Sequence, residues 1–202
     1  MALLYKKILF LLLLLVSASC FSQNTAATDI RDVTKLNFFD PGFSYEKRIG
    51  KLQSLTAQAF LSTSIYLGFS SSLGNTSRVD VYPALSLQYR YYYNAAKRNA
   101  RGKRTEMNSL NYLSAITEVN FYKEYISLDE KGIRALKIVG FAWGFQRNYQ
   151  KRFSLDLNLG LGYFVHKRTI SISSSGEYIT ENEGGFTNIG QIGLGFWLNK
   201  RN

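Results

Sequence analysis

The sequence predicts an all-β fold, an eight-stranded antiparallel up-and-down transmembrane β-barrel preceded by a cleaved signal peptide. Three observations carry that expectation. Apolar and polar residues alternate over long segments, no helix-length apolar run follows the N-terminal region, and tight turns alternate with longer polar connections. A strand sends successive side chains to opposite faces, so period-two alternation makes one greasy and one polar face. In a soluble sheet the polar face meets water and the leucines form a core. In a membrane barrel the leucines meet lipid and the polar face lines the lumen. Residues 153–163 are the clearest case: Phe153, Leu155, Leu157, Leu159, Leu161 and Tyr163 share one face, and Ser154, Asp156, Asn158, Gly160 and Gly162 the other.

At the N-terminus, Lys6 and Lys7 precede an apolar run over 8–16 and the small residues Ser17, Ala18 and Ser19. A basic region, a short apolar core and a cleavage zone define a secretory signal peptide, assigned to 1–23. A membrane anchor is the alternative, but a spanning helix needs about 20 apolar residues. Cys20 offers a second alternative, a lipoprotein acceptor, although Ser17 stands where such signals usually carry Leu. As the lone cysteine it excludes an internal disulfide or a thiolate metal cluster. A short extension, 24–31, leads into the barrel at 32–198, and a basic tail, 199–202, follows.

The strands follow in order. The first, 32–39, is joined through Asp40-Pro41-Gly42, a good turn sequence, to the second at 43–48. In the third, Leu55, Ala57, Ala59, Leu61, Thr63 and Ile65 oppose Thr56, Gln58, Ser62 and Ser64. In the fourth, Val79, Val81, Leu85, Leu87, Tyr89 and Tyr91 oppose Asp80, Ser86, Gln88 and Arg90. Leu113, Ala115, Thr117, Val119 and Phe121 oppose Ser114, Glu118 and Asn120 in the fifth. Val139, Phe141, Trp143 and Phe145 oppose Gly140, Ala142, Gly144 and Gln146 in the sixth. The seventh is 153–163. In the eighth, 186–198, Ile192, Leu194, Phe196 and Leu198 oppose Gln191, Gly193 and Gly195. Several runs reach the nine or so residues that a tilted membrane strand needs, where soluble strands average about five or six. Fourteen Tyr and fourteen Phe favour strands and supply interfacial girdles, and two prolines in the whole chain leave the ladders intact.

Connections at 49–51 and 148–151 are tight; those at 68–78, 123–134 and 166–185 are longer and polar. Membrane barrels put short turns inside and long loops outside, which fixes the strand directions and leaves both ends of an even-numbered barrel on the inner side. The exception is 95–107, a long basic segment where a short inner turn is expected; a turn and a brief helix both fit it.

Thirteen of the 25 lysines and arginines fall at this inner rim, so the charge is segregated rather than spread. They are Lys47, Arg48 and Lys51; Lys97, Arg98, Arg101, Lys103 and Arg104; Arg147, Lys151 and Arg152; and Lys200 with Arg201. Such a ring suits lipid phosphates or an acidic envelope protein, and equally a solvated rim. The net charge of +11, or +9 without Lys6 and Lys7, raises nucleic acid as a partner. Nucleic acid needs a contiguous groove with aromatic platforms, which this pattern lacks, so no nucleic-acid partner is expected.

On the lumen-facing parity lie Glu46, Arg90, Glu118 and Asp156, with Gln58, Gln88 and Gln191 nearby. An eight-stranded barrel is just wide enough for side chains to fill, and charges held there must pair. The expectation is a salt-bridge plug centred on Arg90; the alternative is a narrow gated ion path through the same groups. Gly160, Gly162, Gly193 and Gly195 leave room for bulky inward neighbours. His166, the single histidine, falls at a loop edge, and a pairing with Ser171 or Ser173 is the kind a serine-rich loop supplies by chance. No metal cluster, phosphate loop or nucleophile elbow is present in the sequence, so neither an enzyme nor a cofactor is expected.

Four segments carry a family resemblance: Phe43-Ser44-Tyr45-Glu46, Gln88-Tyr89-Arg90-Tyr91-Tyr92-Tyr93, Trp143-Gly144-Phe145-Gln146-Arg147-Asn148-Tyr149, and Gly195-Phe196-Trp197-Leu198. With the signal peptide, these make residues 32–198 resemble the small eight-stranded outer-membrane barrels of Gram-negative bacteria, the OmpA-like barrel group. The last segment resembles the aromatic signal read by the barrel assembly machinery, displaced here by the basic tail, and no peptidoglycan-binding domain follows. The resemblance implies the fold and the outer membrane; it implies no biochemical activity. The expected role is a non-catalytic scaffold, structural or adhesive, embedded in outer-membrane lipid and displaying extracellular loops. An accessory subunit of a larger envelope complex, a narrow pore and a soluble lipocalin-like binder are the rivals.

Overall fold

The computed structural model describes residues 30–70, 74–125, 131–149, 151–172 and 177–199. Residues 1–23, assigned to a signal peptide and including Cys20, lie outside them, as do Lys200 and Arg201 of the tail. Eight strands form: β1 (Val33–Phe39), β2 (Gly42–Arg48), β3 (Gln53–Ser70), β4 (Gly74–Tyr92), β5 (Asn111–Tyr125), β6 (Lys131–Asn148), β7 (Phe153–Ile172) and β8 (Glu177–Trp197). Each pairs antiparallel with the next, and β1 with β8 closes the ring. The barrel is therefore up-and-down, as the alternation predicts.

The register fixes its shape. Perpendicular pairing leads from Leu36 through Phe43, Ala59, Leu85, Val119, Lys137 and Val165 to Gly184, whereas Leu36 itself pairs with Phe196. The ladder thus returns twelve residues displaced on β8, and such a stagger tilts the strands and widens the ring.

Two expectations need correction. The stretches 68–78, 123–134 and 166–185, expected as long loops, are strand for most of their length: β3–β4, β5–β6 and β7–β8 are tall hairpins. Hydrophilic composition reports which surroundings the side chains suit, and backbone pairing continues regardless because each strand still faces a partner. The second concerns 24–31, expected to be a mere lead-in. Ile30 is fully buried with Tyr92, Ala95, Leu110 and Tyr112, and Leu52 packs against the cluster. Asn108 holds the neighbouring backbone, accepting from Arg31 N–H and donating to Arg31 C=O, both at 2.8 Å. This cluster stoppers one end of the lumen. Segment 95–107 resolves into α1 (Ala95–Ala100) and a 3₁₀ turn at Glu106–Asn108, linked through Gly102 at φ 61°.

β1 and β2 are seven residues each, against 15 to 21 for the others. Beside the β1–β2 hairpin the wall is a complete ring. Beyond its tip at Asp40-Pro41, β3 pairs only with β4 and β8 only with β7 among the described residues.

Candidate functional site

Polarity is inverted relative to a soluble barrel. Outward side chains are apolar and exposed, Phe186 at 91% and Phe141 at 77%, while inward Glu46 and Arg90 are 1% and 2% exposed. The candidate site is the lumen these inward groups fill.

Its centre is Asp156 of β7. One carboxylate oxygen accepts from Arg90 Nη1 at 2.8 Å and Lys35 Nζ at 3.1 Å; the other accepts from Tyr112 Oη at 2.6 Å. Arg90 also donates to Gln146 at 2.8 Å and, from Nε and Nη2, to Gln88 Oε1 at 3.0 and 2.8 Å. Its guanidinium stands 4.3 Å from the centre of the Tyr112 ring, a cation–π contact in a desolvated place. Gln146 is the bridge: its carbonyl accepts from Lys35 and Arg90, and its amide donates to Glu46 Oε2 at 3.2 Å. Tyr92 Oη donates to the other oxygen of Glu46 at 2.5 Å. Two cations and two carboxylates cancel, and shared hydrogen bonds connect them, which is what buried charge requires.

Of the four residues expected to form the plug, Glu46, Arg90 and Asp156 come together. Glu118 does not: it faces the lumen on β5 but accepts from Asn120 Nδ2 at 2.8 Å, away from Arg90. Lys35, Gln146, Tyr92 and Tyr112 belong to the network and were missed. A signal existed for Lys35, since Val33, Lys35 and Asn37 share a parity on β1. Pairing Lys35 with Asp156 required the β1–β8 closure. An amide layer lies above: Gln191 accepts from Gln88 at 3.2 Å and Asn158 at 3.1 Å, and donates to Gln58 at 3.2 Å. Between the two layers a void of about 20 Å³ remains, room for one water and too little for a hydrated ion.

Beyond the amide layer the lumen opens into a cavity of about 990 Å³ lined by Tyr82, Tyr122, Leu136, Ile138, Phe164 and His166, among others. His166 sits on a strand facing inward, not at the loop edge expected. Its Nδ1 is 2.9 Å from Tyr122 Oη and its Nε2 is 3.4 Å from Glu183, which also meets Arg168 at 3.5 Å. Ser173 lies outside the described residues, and so does the side chain of Ser171. Among the described residues no group of three or more potential metal ligands gathers, and no helix is long and apolar enough to cross a membrane.

The described basic rim residues all lie at the stoppered end, and they divide into two sets. Lys47 bonds Asp32 at 2.6 Å, and Asp32 also accepts from Arg48 N–H at 2.8 Å. That hydrogen bond from the Lys47 ammonium holds the Asp32 carboxyl below its ordinary range. Arg98 donates to Arg104 C=O at 2.9 Å, Arg104 meets Glu106 at 2.9 Å, Arg147 donates to Leu110 C=O and Asn111 at 3.0 and 2.7 Å, and Arg152 lies over the Trp197 ring. Lys51, Lys97, Arg101, Lys103 and Lys151 are exposed to solvent. Trp197, in the segment resembling an insertion signal, turns inward and is buried, donating to Tyr149 C=O at 3.0 Å; Phe196 faces out.

Comparison with protein-family models, curated proteins and solved structures finds no match to this chain.

Proposed function

We propose that this chain, exported by the signal peptide at 1–23, is an integral outer-membrane β-barrel of the OmpA-like kind with both mature ends in the periplasm. It acts without catalysis or cofactor, as a structural or adhesive scaffold. One observation carries the reading: the charged and amide side chains are inside and the leucines and aromatics outside. In water, that surface would present a contiguous apolar belt far larger than monomeric proteins expose. In a bilayer the same belt is the solvated face. The filled lumen supports a plug rather than a pore, and the charged groups of the ionic layer, Lys35, Glu46, Arg90 and Asp156, are engaged with one another. The tall hairpins alter what such a scaffold displays, since strand accounts for most of 68–78, 123–134 and 166–185. Outer-membrane lipid is the principal partner, with the assembly machinery during biogenesis; no nucleic acid is expected.

Cell fractionation with heat-modifiable gel migration is the test. The protein is expected in the detergent-extracted envelope and to migrate faster unheated than heated. Recovery from the aqueous periplasmic fraction would sink the membrane reading in favour of a soluble binder. A second role, accessory subunit of an envelope complex, is favoured by the exposed rim cations, Lys51, Lys97, Arg101, Lys103 and Lys151 among them, which have the form of a docking ring for an acidic partner. Affinity purification from membranes distinguishes the two, since a stoichiometric partner lost on charge reversal at Lys97 and Lys103 would displace the solitary scaffold.

A further inference from the structure

The upper lumen is unlike the lower. Below, between the stopper and the amide layer, inward residues are mostly polar; above, Tyr82 on β4, Tyr122 on β5, Leu136 and Ile138 on β6 and Phe164 on β7 line the 990 Å³ cavity. That volume lies at the upper end of the range of about 300–1,000 Å³ typical of ligand sites, which are likewise mostly apolar with a few placed polar groups. Asp80, Lys123 and Thr187 add polar lining, and His166, Glu183 and Arg168 form a joined set, at 3.4 and 3.5 Å.

The same height of the wall carries a seam. Leu61 N–H still donates to Pro41 C=O at 2.9 Å; beyond it, the β3 edge and the β8 edge before Leu194 have no strand ladder between them among the described residues. β5 and β6 stand opposite in the ring, so Tyr122, Leu136 and Ile138 face the seam across the lumen. Outside, exposed apolar residues stand at the foot of the seam, Leu61 on β3, and along its other margin, Phe186 on β8. If the belt is in lipid, the seam is too. Unpaired backbone groups in hydrocarbon cost several kcal/mol each, so the seam's margins call for polar company while the chamber behind them is greasy. A polar margin before an apolar chamber is the profile of an amphiphile. Beneath, the Gln58–Gln191 bond floors the chamber and separates it from the plug.

We propose that this cavity binds the acyl chain of an outer-leaflet lipid, admitted sideways through the seam between β3 and β8, with the headgroup held near His166, Glu183 and Arg168. The proposal rests on the membrane reading above. Its test is tryptophan quenching in vesicles. A reporter indole is placed at the cavity by Phe164→Trp in a Trp143→Phe background; Trp197, buried at the stoppered end, is a constant. In phosphatidylcholine vesicles with brominated acyl chains, the reporter is expected to lose emission to the same degree as the outward Trp143 of the native protein. Leu136→Arg, which puts a charge in the chamber, is expected to abolish that loss while heat-modifiable migration persists. Quenching that survives Leu136→Arg reaches the indole through the wall and overturns the proposal. So does quenching by aqueous iodide without quenching by brominated phospholipid, or quenching by brominated free fatty acid alone. A strand of another polypeptide found along β8 after purification from native membranes likewise overturns it. Failure of Trp143 itself to be quenched in the native protein would instead undo the membrane reading.

Discussion

Asp156 shows at a single residue how the lumen is held. It serves Arg90, Lys35 and Tyr112 together, so Asp156→Asn leaves two buried cations facing each other without their counter-charge. Breaking one member of a buried ionic set costs about 3–5 kcal/mol, and that loss is expected in urea unfolding from vesicles. Adding Lys35→Met to Asp156→Asn is expected to return part of it, because removing the stranded cation also removes its desolvation penalty. Independent, additive losses would show that the two groups do not share one network. Asp32 gives a pH prediction at the rim. Its folded carboxyl ionises more readily than the unfolded one, so its stabilisation is present above the unfolded value near 3.8 and fades as pH falls through the lower, folded one. Denaturation followed below about pH 4 is expected to show a small loss that Asp32→Asn lacks. The exposed surroundings and salt screening keep it small.

Element by element, the strands are constrained by what they must pass. A side chain on Gly144 of β6 would collide with the Tyr112 ring, which reaches Asp156, and with the Leu157 carbonyl on β7. Gly144→Ala is expected to cost about 1–3 kcal/mol through overpacking, and Tyr112→Leu to relieve part of it. If the double variant lost the full sum of the singles, the close approach would not be the cause. The N-terminal stopper makes a second prediction. Ile30→Ala opens a cavity against Tyr92 and Leu110 and is expected to destabilise by about 2–5 kcal/mol, although Ile30 lies outside every strand. An effect within experimental error would show that the stopper is dispensable.

For the molecule as a whole, the governing fact is that the lumen is filled in layers: an apolar stopper, an ionic layer, an amide layer, and then an apolar chamber. A filled lumen is expected to give no steady conductance in planar bilayers. Arg90→Ala with Gln146→Ala, which deletes the two hubs of the ionic layer but leaves the stopper and the amide layer, is expected to remain without steady current. Steady channels in the native protein that disappear on changing Arg90 would mean that the layer is an ion path, not a plug.

The strand faces were legible from the sequence because alternation is a local property: the pleat alone decides that Leu155 and Asp156 point oppositely. The count of eight was legible too, since each turn leaves its own mark. So was the inward parity of Glu46, Arg90 and Asp156. Which of those groups meet was not. Glu118 shares the parity of Arg90 but stands higher in the lumen, and Lys35 reaches Asp156 only because β1 pairs with β8 at a stagger of twelve residues. The reach of the hairpins was hidden for a related reason, since polar residues pair through their backbones as well as apolar ones do. Single-strand chemistry therefore determined which way each side chain faces. The height at which it sits, and hence its partners, was decided by ring closure, in which all the ladders must agree at once.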